Sequence, residues 1–233
     1  MSVAIDNTTN FVSTDGGATG TWTISHTNIA GNGLTVRIGM LSNSLTITGV
    51  TYAGTSLTKL ASTETGRQTY IFGWPAGGSA IPTGANNVVV TASGTGRNVC
   101  VCIQSYTGVD TTTTYGTAVT KSGTNTTDTA ALTSSSGDLS IDNVFQGDNT
   151  TQPTLTATFT TDANQNDTTA SLIGQLCQST GNTSPTMQWS SNENAAYSYA
   201  AIPIKAGTPP TPHYDPPPQL TIRPARFTPG NAR

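Results

Sequence analysis

The sequence predicts an all-β protein: one antiparallel two-sheet β-sandwich, jelly-roll or Ig-like, over residues 1–206, with an extended Pro-rich C-terminal arm over 207–233. Three observations carry this. Thr, Ser, Asn and Gly dominate the polar residues, while only two Glu (Glu64, Glu193) and three Lys occur, so strand and turn formers outnumber the residues that build long helices. Short apolar or alternating runs are separated by turn signals roughly 8 to 15 residues apart, the spacing of a sandwich or barrel. No stretch carries an apolar stripe at helical spacing.

Taken in order, strands are expected over 2–7, 21–27, 34–41 and 47–53, the last turning through Gly54-Thr55 into 56–60. In 21–27, Trp22, Ile24 and His26 share one face. A strand over 68–74 ends at Pro75, and the Pro- and Gly-rich loop 75–84 leads to the most apolar stretch, 85–108. Here Val88-Val89-Val90-Thr91 and Val99-Cys100-Val101-Cys102-Ile103 flank the turn-forming residues 93–98. Runs that are apolar on both faces need cover on both, so the pair is expected to form a central buried hairpin. Weak strands follow at 117–121 and 129–133, then stronger ones at 139–145, 154–160, 170–178, 186–190 and 195–205.

Composition bounds the function. The net charge is -3, and 9% of residues are charged against roughly 25% in an average domain. No basic stripe is present, which argues against general nucleic-acid binding. No apolar run reaches ~18 residues, so no membrane-spanning helix is expected. The N-terminus Met1-Ser2-Val3-Ala4-Ile5-Asp6 lacks a basic and then apolar leader, so synthesis in a host cytoplasm without a signal peptide is expected.

Catalytic sets are absent from the pattern. His26 and His213 are the only histidines, and no Ser lies in a G-x-S-x-G elbow. The reading is therefore non-enzymatic, with no catalytic residue, cofactor or metal. The segment Asp162-Ala163-Asn164-Gln165-Asn166-Asp167 is oxygen-rich, but it lacks the Gly and distal Glu of a calcium loop and reads as a plain turn. Cys100, Cys102 and Cys177 sit in predicted strands; they read either as buried thiols or, with Cys177 reaching one of the other two, as a disulfide. Of the aromatic residues, most are expected in the core, and Trp74 before Pro75 is the candidate glycan contact.

The tail changes character. Residues 207–233 hold eight of the thirteen prolines, with three Arg and one Asp, a net charge of +2 against -5 for the body. Such a segment favours an extended polyproline-like path. It reads either as a plain terminus or as an arm lying on a neighbouring subunit through Pro209, Pro210, Tyr214, Pro217, Leu220, Ile222, Arg223, Arg226 and Phe227, with Leu220-Thr221-Ile222-Arg223 adding to a sheet edge.

Several segments resemble a β-sandwich type found in tailed-phage virion proteins and bacterial surface proteins. They are 49–58 (GVTYAGTSLT), Phe72-Gly73-Trp74-Pro75 with 84–91 (GANNVVVT), Ser105-Tyr106-Thr107-Gly108-Val109-Asp110, and 199–205 (YAAIPIK). The resemblance covers residues 34–206 and implies a structural or display module without catalysis. With the arm, it leads to the expectation of a virion structural protein, a bacteriophage capsid decoration or appendage subunit, whose partners are other virion proteins and its own copies. A carbohydrate-binding or adhesive module on an extracellular surface is the alternative, with glycans as partners.

Overall fold

The segment TWTISHTN alternates polar and apolar side chains, and residues Thr21–Asn28 form a strand whose successive side chains are exposed and buried in strict turn. The structure is a computed structural model that describes residues 1–13, 18–42, 44–147, 152–167 and 173–208. Among the described residues all regular structure is β. The strands are β1 (Ala4–Val12), β2 (Thr21–Asn28), β3 (Gly33–Leu41), β4 (Ile47–Tyr52), β5 (Thr55–Ser56), β6 (Thr58–Thr65), β7 (Arg67–Gly73), β8 (Gly84–Ala92) and β9 (Val99–Thr107). After a loop come β10 (Val119–Ala131), β11 (Leu139–Gly147), β12 (Leu155–Ala157), β13 (Thr160–Asp167), β14 (Ile173–Thr180) and β15 (Thr186–Ile204).

These strands make three antiparallel sheets where two were expected. The central sheet runs β1-β9-β3-β7-β6, and a smaller sheet β2-β8-β4-β5 covers one of its faces. The third, β10-β15-β11-β14-β13 with β12 beside β15, covers the other. The central strands are therefore buried on both faces, as their continuous apolar runs require. Leu34, Val36, Ile38, Met40, Val101 and Ile103 face the small sheet and meet Trp22, Val50, Tyr52, Val88 and Val90. The alternate residues face the third sheet: Gly39 lies under Phe145, whose ring carbon would stand 2.1 Å from any Cβ placed there.

The expected central hairpin is not one. Val88–Val90 belong to β8 in the small sheet, and Val99–Ile103 to β9 in the central sheet. The segment 93–98 is an arch that carries the chain across the core, so the valines of both runs pack face to face in one cluster. The doubly apolar character belongs to β9, whereas Val89 of β8 is only partly buried on the outer face of the molecule.

In the third sheet two pairs of expected strands merge. The weak strands at 117–121 and 129–133 are one strand, β10, and 186–190 and 195–205 are one strand, β15, paired along their length with a register shift between Asn125 and Thr127. The sheet curls on itself, so Leu155 and Trp189 at one end pack with Val144, Leu176 and Tyr199 of the middle strands. The oxygen-rich 162–167 segment is part of strand β13 rather than a turn, paired with β14. The hairpin after β4 does form, with Ala53 and Gly54 at its tip at φ 49° and 81°, the left-handed pair that matches strand twist. The packed body runs past residue 206: Ala206 bridges Val109 and Gly207 N–H donates to Gly108 O at 2.8 Å.

Candidate functional site

Two places concentrate polar chemistry: a pocket between loops at one end of the molecule and a sealed network between the central and third sheets.

The pocket is built by side chains that tie loops together. Asp6 on β1 accepts from Ile29 N–H (2.9 Å), Ala30 N–H (3.1 Å) and Ser105 Oγ (2.8 Å), which holds the β2–β3 turn. Burial raises the Asp6 pKa, but these donors outweigh it and leave the carboxyl below its ordinary value. Asn28 reaches across to the β7–β8 loop, donating to Pro82 O at 3.1 Å. Asn32 both donates to Val109 O (3.0 Å) and accepts from Val109 N–H (3.1 Å). Gly77 N–H donates to Thr111 O at 2.7 Å. The three loops therefore enclose a fixed hollow of about 440 Å³, walled by Trp74, Pro75, Ala80 and Ile81 on one side and by Asn32 and Thr111 on the other.

Trp74 is not the exposed platform expected of it. It is 5% exposed, its indole N–H donates to Ser79 O at 2.8 Å, and its ring meets Tyr52 edge-on at 6.2 Å. Its backbone N–H still donates to Leu34 O at 2.9 Å, extending the β7–β3 pairing, and the loop that follows closes back on the indole through Ser79.

The sealed network centres on Arg37 of β3, a charged residue inside an apolar strand. Arg37 and the Asp162 carboxylate are 0% and 1% exposed and lie 2.9 Å apart. Arg37 also donates to Asp142 O (2.9 Å), Gln178 O (3.3 Å), Gln104 Oε1 and Cys102 Sγ (3.3 Å). Asp142 accepts from Gln178 N–H (3.0 Å), Gln178 Nε2 (2.7 Å) and the Tyr199 hydroxyl (2.9 Å). Its burial nevertheless pushes its pKa up to about 7, against the pull of Tyr199, Arg37 and Gln178. The charge balance agrees: Arg37, the one fully buried cation among the described residues, is already paired with Asp162, and a second full carboxylate would stand uncompensated.

All three cysteines are fully buried on this same interface. Cys102 and Cys177 are thiols that share one cluster with Ala163. Burial raises both, but Cys177 donating to Cys102 and the Arg37 guanidinium hold Cys102 below its usual value, while Cys177 stays high. Cys100 packs with Phe145 and Ile173. These groups, buried together, join the two sheets. His26 is likewise enclosed, its Nδ1 2.9 Å from Thr9 Oγ1, and burial lowers its pKa.

The arm residues Pro209, Pro210, Tyr214, Pro217, Leu220, Ile222, Arg223, Arg226 and Phe227 lie outside the described residues. What the structure adds is their point of departure. Gly207 and Thr208 line a recess beside Met1 and Asp110, and this recess shares Asn32 and Thr111 with the Trp74 pocket. Sequence reasoning missed Arg37 and read Asp162 as part of a turn; the signal was a lone Arg in the mostly apolar Leu34–Leu41 run. Compared with protein-family models, curated proteins and solved structures, the chain matches none.

Proposed function

We propose that the chain is a non-enzymatic virion structural protein, a capsid decoration or appendage subunit that attaches to an assembly through its Pro-rich tail and the end of the body from which that tail departs. The fold type behind this reading follows from the order of the first nine strands. The central sheet orders β1-β9-β3-β7 and the small sheet β2-β8-β4-β5, with β6 added at an edge. That interleaving favours an eight-stranded jelly roll over the Ig-like alternative, and jelly rolls recur in viral capsid and lectin domains. Fold alone does not choose between those two. The choice rests on surface chemistry: the long outer strand β10, VTKSGTNTTDTAA, is polar, mostly exposed and carries one Lys and one Asp. Neutral surfaces of this kind pack repetitively without like-charge repulsion.

The test is deletion of residues 209–233. The truncated protein keeps its near-UV circular dichroism and fails to load onto the particles that carry the full chain. A truncated protein that still decorates them contradicts the reading.

A carbohydrate-binding module is the second reading, favoured by the Trp74-walled pocket. The indole face is covered, so sugar stacking requires the β7–β8 loop to lift. Glycan-array binding that disappears in Trp74→Ala supports this alternative; a blank array with the native protein removes it.

A further inference from the structure

We propose that the Trp74 pocket is the receptor for the proline-rich segment 209–218 of a second copy of this chain, so that copies join by exchanging tails. The proposal rests on the reading of the tail as an assembly arm and names the surface that receives it.

The pocket is preformed, since Asn28, Asn32 and Gly77 lock its loops to one another through backbone bonds. Two polar side chains of its wall are spent inward: the Trp74 indole N–H on Ser79, and both ends of the Asn32 amide on Val109. The remaining wall of Trp74, Pro75, Ala80 and Ile81 is apolar and concave. A ligand that fits must be apolar and must not bring N–H donors that go unanswered. Proline is the residue without a backbone N–H, and a polyproline II segment presents apolar rings at low ordering cost, which is why such segments dock in aromatic-lined grooves. The sequence supplies clustered prolines at Pro209-Pro210-Thr211-Pro212 and again at Pro216-Pro217-Pro218.

Position points to the same occupant. The described residues end at Thr208, on a recess that shares Asn32 and Thr111 with the pocket. A tail that departs beside its own receptor allows two copies facing end to end to exchange tails reciprocally, each surface meeting its own equivalent. The exposed large apolar side chains among the described residues belong to this end as well. They are Met1 (58% exposed) on the recess, Ile29 (65%) beside the pocket turn and Ile5 (38%) next to Asp6, which holds that turn. Contact between copies would cover all three.

The experiment uses the full chain in a light-scattering concentration series, with a synthetic peptide spanning residues 208–219 as competitor. The protein is expected to exceed its monomer mass of 23.9 kDa and to return to it when excess peptide is added. Ala80→Arg, an exposed position on the pocket wall, is expected to give monomer with unchanged near-UV circular dichroism. Replacing Pro209, Pro210 and Pro212 by Ser is expected to do the same. A full chain that stays monomeric, or an oligomer indifferent to both the peptide and Ala80→Arg, overturns the proposal. A monomer that still loads onto particles overturns tail exchange alone and leaves the structural-subunit reading standing. Tail exchange in a protein that never enters particles supports the docking and removes that reading.

Discussion

Arg37 Nη2 and Asp162 Oδ2 stand 2.9 Å apart with neither side chain open to solvent, and they join the central sheet to the edge of the third. A buried pair is costly to form and more costly to break, because the survivor is left charged and unsolvated. Arg37→Met is therefore expected to lower unfolding stability by about 3–5 kcal/mol in urea denaturation. Adding Asp162→Leu is expected to restore part of that loss, since the pair is then replaced by apolar groups. A double variant as unstable as the sum of its singles would mean that the ion pair is not the coupling.

Gly39 is a steric requirement on the same interface. The Phe145 ring occupies the space of its absent Cβ, at 2.1 Å, and a fully buried aromatic side chain between two sheets has little room to yield. Gly39→Ala is expected to cost about 1–3 kcal/mol through overpacking. In a Phe145→Leu background the same substitution should cost clearly less, and an equal cost in both would place the strain elsewhere.

Asp142 gives the protein a pH dependence of unusual sign. Its folded pKa is raised, to about 7 from 3.8, so the folded state holds the proton more tightly than the unfolded chain. Its contribution is complete below about pH 3.8 and is lost as pH rises toward 7, with a slope of at most about 1.4 kcal/mol per pH unit. His26, lowered by burial, acts oppositely as pH falls below its ordinary value, and the lowered Asp6, Asp128 and Asp138 withdraw stability only below the usual carboxylate range. Comparing wild type with Asp142→Asn isolates the effect: urea midpoints between pH 4.5 and 7.5 should fall more steeply for wild type. Parallel curves would show that Asp142 is ionised throughout.

Strands that alternate or run apolar were legible: β2, β3, β7, β11 and the β4–β5 hairpin lie close to where their residues put them. Neighbouring runs gave no information about which sheet each joins. The segment 93–98 can close a hairpin or arch across a core, and only the packing of Val88 and Val90 against Val101 decides it. The polar middle of β10, SGTNTTD, carries no apolar signal because it is a mostly exposed edge, so its continuity comes from the ladder with β15. Asp162 looked like a turn residue because Asp is common in turns, and its partner is 125 residues away. For the candidate site, Trp74 was singled out on its neighbour Pro75, yet the pocket depends on Asp6, Asn28 and Asn32, whose roles are tertiary bonds to backbone.

The most direct measurement is the solution mass of the full chain and of a chain ending at Thr208, by light scattering over one concentration range. The tail is expected to make the difference, with defined oligomers for the full chain and a folded monomer for the shorter one. Equal masses for the two at every concentration would contradict a tail that assembles this protein with its own copies.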